Sequence, residues 1–309
     1  MSLGFFEKVN LIRGAADPDP RVELVVDAKA DLGEGTLWDD KRQVLWWVDI
    51  LNNKLYQHDP ATQANKEFDI GSVIGTVGLA DNDHLIVATF DGIGLFDPET
   101  GSVSYIINPE ADLPQNRFND GKPGPNGSFY AGTMGFEGEK EAGSLYRLDP
   151  NGEVEKIIPN VTISNGLAWN KVEDTMFYID TPTKEVWAFD YDKSTGAISN
   201  KRVAVNIPWW AGNPDGMTID SDDHLWVAHW GGSAVHCWDP KTGRHLDTIS
   251  MPAAQITCCA FGGVNLDTLY ISSARIGLSE DKLKQRPHSG GLFKVNVGKT
   301  GRKAYRFKG

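Results

Sequence analysis

The sequence predicts an all-β fold of six blades, each of four antiparallel strands, and three observations predict it. A strand-like apolar run recurs six times, each is followed at hairpin distance by a second run, and almost no stretch carries helical periodicity. The six runs are LWWVDI (45–50), HLIVATF (84–90), SFYAGTM (128–134), TMFYIDT (175–181), HLWVAHW (224–230) and TLYISSA (268–274). Units of about 45 residues bury little alone, so they must stack around an axis as a six-bladed β-propeller.

Each element of the unit has its own signal. The second runs are KLYQHDP, IGLFDP, GSLYRLDP, KEVWAFDYD, AVHCWDP and GGLFKVN, and four of them end in Asp-Pro. Several then turn through Thr-Gly or Asn-Gly, as in PETG, PNG and PKTG, where Pro presets φ and Gly takes φ > 0. Ahead of each first run sits a short segment, GTLW, TVGLA, DGKPG, NGLAW, DGMTID or CAFGG, which reads as the innermost strand. The stretch after each turn supplies the fourth, outermost strand. RVELVVDAK (21–29) is expected to pair with the last blade and close the ring.

Length and composition fit one propeller domain over residues 1–309. Residues 1–20 read as an N-terminal extension whose first few residues look like a cloning remnant; the segment has no sustained apolar run of signal or membrane type. The net charge of −12 argues against a nucleic-acid or anionic-membrane partner and favours cation binding. Cys237, Cys258 and Cys259 show neither a disulfide framework nor metal-ligand spacing, and so read as reduced, buried thiols of a cytoplasmic protein. Monomer is the default, because no apolar stripe announces a partner.

One oxygen-bearing residue followed by Gly recurs at the same phase of the unit: Asp120-Gly121, Asn165-Gly166 and Asp215-Gly216, about 45 to 50 residues apart. Singly, each is a turn signal. Repeated in phase, and joined by Glu34 in GEG, they gather oxygens where the inner strands begin. Glu34, Asn165 and Asp215 therefore make a cation set of two carboxylates and one amide. Oxygen ligation points to Ca²⁺, Mg²⁺ or Mn²⁺, with Zn²⁺ or Fe²⁺ also able to occupy such a site. Connectivity places the loops after the second strands on the same face: 135–143, 181–184, 230–233 and 274–290. Trp209 and Trp210, in the connection to Asp215, are expected to overhang that mouth, one of them lining it. His229 lies near the mouth and reads as structural. The charged segments 135–143 and 275–291 are candidate lids, and their default reading is a solvated surface.

LGEGTLWD (32–39), RFNDGK (117–122), AGTM (131–134), ISNGLAW (163–169), PDGM (214–217) and FGG (261–263) resemble the senescence-marker-protein/gluconolactonase/luciferin-regenerating-enzyme family. The likeness runs in order from about residue 28 to the C-terminus, and RFNDGK, ISNGL and PDGM together are its specific part. The resemblance implies a six-bladed propeller with one divalent cation on its axis, and hydrolysis of sugar-acid lactones. It puts metal ligands on Glu34, Asn165 and Asp215, and substrate contacts on Arg117, Asn119 and Glu137. Asp120 is then expected beside the metal or holding a water. Two adjacent Trp before Asp215 depart from the charged stretch of regucalcin-type members.

On that reading Asp215 is the general base toward a water that attacks the lactone carbonyl, with the cation as Lewis acid. Arg117 offers a rigid fork to substrate oxygens, and Asn119 and Glu137 bind sugar hydroxyls. No Ser sits in a nucleophile elbow, which removes the serine-hydrolase reading. The alternatives are a calcium-binding regulator of the regucalcin sort, a metal-dependent esterase or phosphotriesterase, and a scaffold for protein partners.

Overall fold

The computed structural model describes residues 17–309. The extension expected over residues 1–20 therefore lies largely outside the described residues. Strand β1 (Glu23–Val26) precedes the first complete blade, which holds β2 (Gly33–Asp39), β3 (Val44–Asp49), β4 (Lys54–Asp59) and β5 (Ala64–Asp69). The second blade holds β6 (Ile74–Ala80), β7 (Leu85–Thr89), β8 (Gly92–Asp97) and β9 (Ser102–Ile107). The third holds β10 (Asn116–Pro123), β11 (Phe129–Gly135), β12 (Gly143–Leu148) and β13 (Val154–Val161). The fourth holds β14 (Ser164–Trp169), β15 (Thr175–Asp180), β16 (Glu185–Tyr191) and β17 (Ile198–Asn206). The fifth holds β18 (Asn213–Ile219), β19 (Leu225–Trp230), β20 (Ala234–Asp239) and β21 (Arg244–Ser250). The sixth holds β22 (Gln255–Gly262), β23 (Thr268–Ala274) and β24 (Leu292–Val295), and β1 completes it by pairing antiparallel with β24. The N-terminal strand thus closes the ring as the sequence predicts.

Burial runs outward along each blade. Every residue of β2 and β3 is buried, whereas most of β5 is exposed. The second strand lies sandwiched between neighbouring blades, so it reads as a continuous apolar run rather than an alternating one. That is why the first runs were the visible repeat. The glycines of PETG, PNG and PKTG do take positive φ, at Gly101 (74°), Gly152 (86°) and Gly243 (71°).

Two features go beyond the sequence reading. The innermost strand of every blade carries a register shift: Glu34/Leu37, Ile74/Thr76, Phe118/Gly121, Asn165/Leu167, Pro214/Met217 and Ile256/Cys259. Such bulges bend a strand and re-aim a side chain. Second, β25 (Arg306–Phe307) pairs parallel with β6, so the C-terminal segment straps the end of the channel opposite the mouth. Phe307 is buried there with Phe118, Phe129 and Tyr146. A helix, α1 (Glu280–Gln285), capped by Ser279, occupies the segment between β23 and β24, and it buries no residue.

Candidate functional site

The bulges place the site. Glu34, Asp120, Asn165 and Asp215 all sit at the register shift of an inner strand, so the repeat phase read from the sequence is a structural phase. The following glycines have a different reason from the turn signal expected. Gly121, Gly166 and Gly216 do not take positive φ. A Cβ on Gly166 would stand 2.9 Å from the Asp215 carbonyl oxygen, and one on Gly216 would stand 2.8 Å from that of Thr257. Inner strands converge on the axis too closely for a side chain. Gly35 alone of the site glycines has positive φ, 61°.

Glu34, Arg117, Asn119, Asn165 and Asp215 line one cavity of about 60 Å³ at the mouth, walled by Leu32, Met134, Ile163, Thr181, Asn213 and Trp230. All five polar residues are buried. Glu34 Oε2 accepts from the Gly35 N–H at 2.9 Å, and Asp120 Oδ1 accepts from the Gly121 N–H at 2.7 Å. Asn165 Nδ2 donates to Thr181 Oγ1 (2.8 Å), which in turn donates to the Pro214 carbonyl (2.9 Å). This chain fixes the amide's orientation and leaves Asn165 Oδ1 facing Asn119 Nδ2 at 3.2 Å. Arg117 Nη1 donates to Asn119 Oδ1 at 2.8 Å, which locks the pair.

The electrostatics are those of an under-neutralised acid cluster. Burial, then the Asp120 charge, pushes Glu34 up to about 8. Asp215 is raised well above the ordinary carboxylate range by burial and by the Glu34 and Asp120 charges, and it lies within hydrogen-bonding reach of Glu34. Asp120 is raised by burial against the pull of Lys122, and its Oδ2 is buried with no hydrogen-bond partner. Burial draws Arg117 down to about 10, which leaves it charged at neutral pH. Three buried carboxylates face Arg117 and Lys122, and Lys122 Nζ is held by the carbonyls of Leu167 and Met217. Two carboxylates and an oriented amide oxygen in such a place fit a hard divalent cation.

The remaining expected residues lie elsewhere. Asp120 is part of the cluster electrostatically but not of the cavity wall. Glu137 is exposed on the loop after β11, outside the wall, with its N–H on Glu139 Oε2 at 3.2 Å. Trp209 and Trp210 are also outside the wall: Trp209 is 76% exposed, and Trp210 packs edge-on against His236 and His245. His229 is fully buried on β19 against His236 and Trp238, as a structural residue would be. The sequence reading named the loops that supply Thr181 and Trp230 but not those side chains; the only signal for them was connectivity. Asn213 was missed although it is two residues before Asp215.

Fold and site together define a six-bladed propeller with a buried acid cluster at its axial mouth. The chain belongs to the SMP-30/gluconolactonase/LRE-like family, whose model matches residues 32–275. It is 40% identical over 286 residues to YvrE of Bacillus subtilis (strain 168), assigned by name as a sugar lactone lactonase, covering 93% of this chain and 98% of that one. It is 38% identical over 280 residues to regucalcin of Xenopus laevis, covering 89% and 94%. Among solved structures it resembles a calcium-binding regucalcin of Agrobacterium tumefaciens, with TM-score 0.89, 29% identity, and 92% and 96% of the two chains covered. No helix among the described residues is long and apolar enough to cross a membrane.

Proposed function

We propose that this protein hydrolyses sugar-acid lactones with the help of one divalent cation held by Glu34, Asn165 and Asp215. The observation that carries the reading is the pairing of an under-neutralised acid cluster with the locked Arg117–Asn119 pair in one small cavity. A simple ion binder has no use for an oriented guanidinium and amide beside its ligands. The relative named as a sugar lactone lactonase supports the substrate class.

A bound cation would supply Lewis-acid polarisation of the substrate carbonyl and would keep both carboxylates ionised. Asp215 Oδ accepts the proton of the attacking water, a role the Asn165 amide cannot share, and general-base help of this kind is worth about 10²–10⁴-fold. Asp215 then returns that proton to the ring oxygen as the ester bond breaks, giving the aldonic acid. Arg117 donates N–H groups to substrate oxygens that gain charge, in a buried place where such bonds count most. Asn119 is held with its oxygen on Arg117 and its nitrogen on the Ser164 carbonyl (2.8 Å), and so positions the guanidinium. Glu137 reaches substrate only if a sugar extends beyond the mouth onto the rim, and the exposed Trp209 would then meet the same outward end. The free, buried cysteines support a reducing compartment, the cytoplasm.

The test is a substrate panel of glucono-, galactono-, xylono- and arabinono-lactones beside an aryl ester and a phosphotriester, with wild type and Asp215→Ala. Turnover of one or more lactones that is lost in the variant is the expected result. Turnover of esters alone moves the assignment to esterase or phosphotriesterase. Tight calcium binding with no turnover moves it to the regucalcin-like regulator.

A further inference from the structure

We infer that Asp220, His224 and Cys237, at the opposite end of the fifth blade from the mouth, form a second metal site suited to a borderline divalent cation such as Zn²⁺. Asp220 follows β18, His224 immediately precedes β19, and Cys237 lies on β20 across from Trp226. A carboxylate oxygen of Asp220, a ring nitrogen of His224 and the Cys237 Sγ all lie within 4.8 Å of one another. Asp220 is fully buried and Cys237 is 2% exposed, so this is not a chance cluster of surface acids.

The details favour a ligand set over a turn alone. Asp220 Oδ1 accepts from the N–H groups of Asp222 and His224, both at 2.9 Å, and Oδ2 accepts from Trp226 Nε1 at 3.0 Å. These bonds fix the carboxylate and leave Oδ2 with a free lone pair. His224 Nδ1 stands 3.4 Å from Oδ2 and is buried with no hydrogen-bond partner. That separation is long for a hydrogen bond, but it matches the edge of a tetrahedron with bonds of about 2.0–2.1 Å. The Cys237 Sγ supplies the third corner of that face, at the longer bond that a thiolate makes to Zn²⁺. The His224 side chain is 26% exposed, which gives the ion an entry path and water the fourth position.

The second blade supplies an internal comparison. His84 precedes Leu85 as His224 precedes Leu225, but Ala80 and Leu95 stand where Asp220 and Cys237 stand. There the His84 Nδ1 closes the turn on the Asn82 carbonyl at 2.9 Å. The turn by itself therefore does not direct a histidine toward its strand-end partner. Binding is a proton exchange: the cation takes the Cys237 sulfur, the thiol proton leaves to solvent, and thiolate plus Asp220 carboxylate match the 2+ charge. The donor set N, O, S separates this site from the all-oxygen mouth.

The experiment is a Co²⁺ titration of chelator-treated protein under a phosphine reductant, read by near-ultraviolet thiolate-to-cobalt charge transfer. The band should saturate in the wild type, vanish in Cys237→Ser, and need at least tenfold more Co²⁺ in His224→Ala. It should persist in Asp215→Asn, because no cysteine lines the mouth cavity. His224→Ala carries the test if Cys237→Ser fails to fold. No thiolate band in the wild type at millimolar Co²⁺ overturns the proposal. So does a band unchanged in both variants, which would belong to Cys258 or Cys259.

Discussion

Glu34 and Asp39 lie near opposite ends of the same strand, β2, and both are buried acids, yet their environments are opposite. At the mouth, Glu34 has the Gly35 N–H, a distant Arg117 and two neighbouring carboxylates, and it rises to about 8. At the strapped end, burial raises Asp39 too, but Arg42 overcomes it with a 2.8 Å bond and the Lys41 and Arg42 N–H groups add to it, so its acidity is strengthened. Arg306 of the C-terminal strap reaches the same carboxylate at 3.4 Å and Asp40 at 2.8 Å. Lys122 lies between the two regimes, tying β10 to β14 and β18 through backbone carbonyls. A cavity of about 100 Å³ beneath it is lined by Thr36, Trp169, Arg302 and Tyr305 among others. On the proposed function, the difference separates structure from chemistry: acids that hold the fold have their partners in the chain, and the acids assigned to catalysis are left for a cation to complete.

The largest effect that tests this contrast comes from exchanging the two kinds of acid. Asp215→Ala should lower lactone turnover by at least about 10²–10⁴-fold while leaving the urea midpoint of metal-free protein unchanged or higher. Asp39→Ala should do the reverse, retaining turnover and losing about 1.5–3 kcal/mol for its charged hydrogen bonds. Matching losses in both variants would erase the distinction. Next, Phe307→Ala should cost about 3–5 kcal/mol in urea unfolding, since Phe307 is 1% exposed in the core of the strapped end. A loss below about 1 kcal/mol would show the strap to be dispensable.

A smaller effect follows from the raised acid. Glu34 folded titrates near 8 against an unfolded value of 4.5, so metal-free protein binds more protons than the unfolded chain between those values. Its contribution is fully present below 4.5 and is lost as pH rises through 8. A cation replaces the missing protons, so the rise in Tm on adding Ca²⁺ or Zn²⁺ should be larger at pH 8 than at pH 5. Equal shifts would remove Glu34 from the ligand set. The smallest effect is at the rim: Trp209→Ala should change stability by under about 0.5 kcal/mol, because the side chain is 76% exposed. A larger loss would mean that Trp209 is a packing residue and the rim is part of the core.

The propeller was legible because second strands buried on both faces leave continuous apolar runs such as LWWVDI, and these recur once per blade. Glu34, Asn165 and Asp215 were legible because a six-fold bulge repeats them in phase. What stayed hidden had no local pattern. Arg306–Phe307 is a two-residue strand whose partner lies more than 220 residues away, and nothing in YRFKG announces it. Trp210 finds His236 and His245 across loops that periodicity does not register. Glu137 follows a strand by two residues, and a loop that short in signal cannot say whether its carboxylate turns to the axis or to solvent. Gly121, Gly166 and Gly216 carry a turn signal without a turn, since close approach of strands and positive φ select the same residue.

The most direct test of the central claim is the rate of hydrolysis of the best lactone before chelation, after exhaustive chelation, and after a divalent cation is returned. The account predicts a fall of at least about 10²-fold on chelation, by loss of Lewis-acid catalysis, and recovery on reloading wild type but not Asp215→Ala. A rate that survives in fully metal-free protein would contradict it.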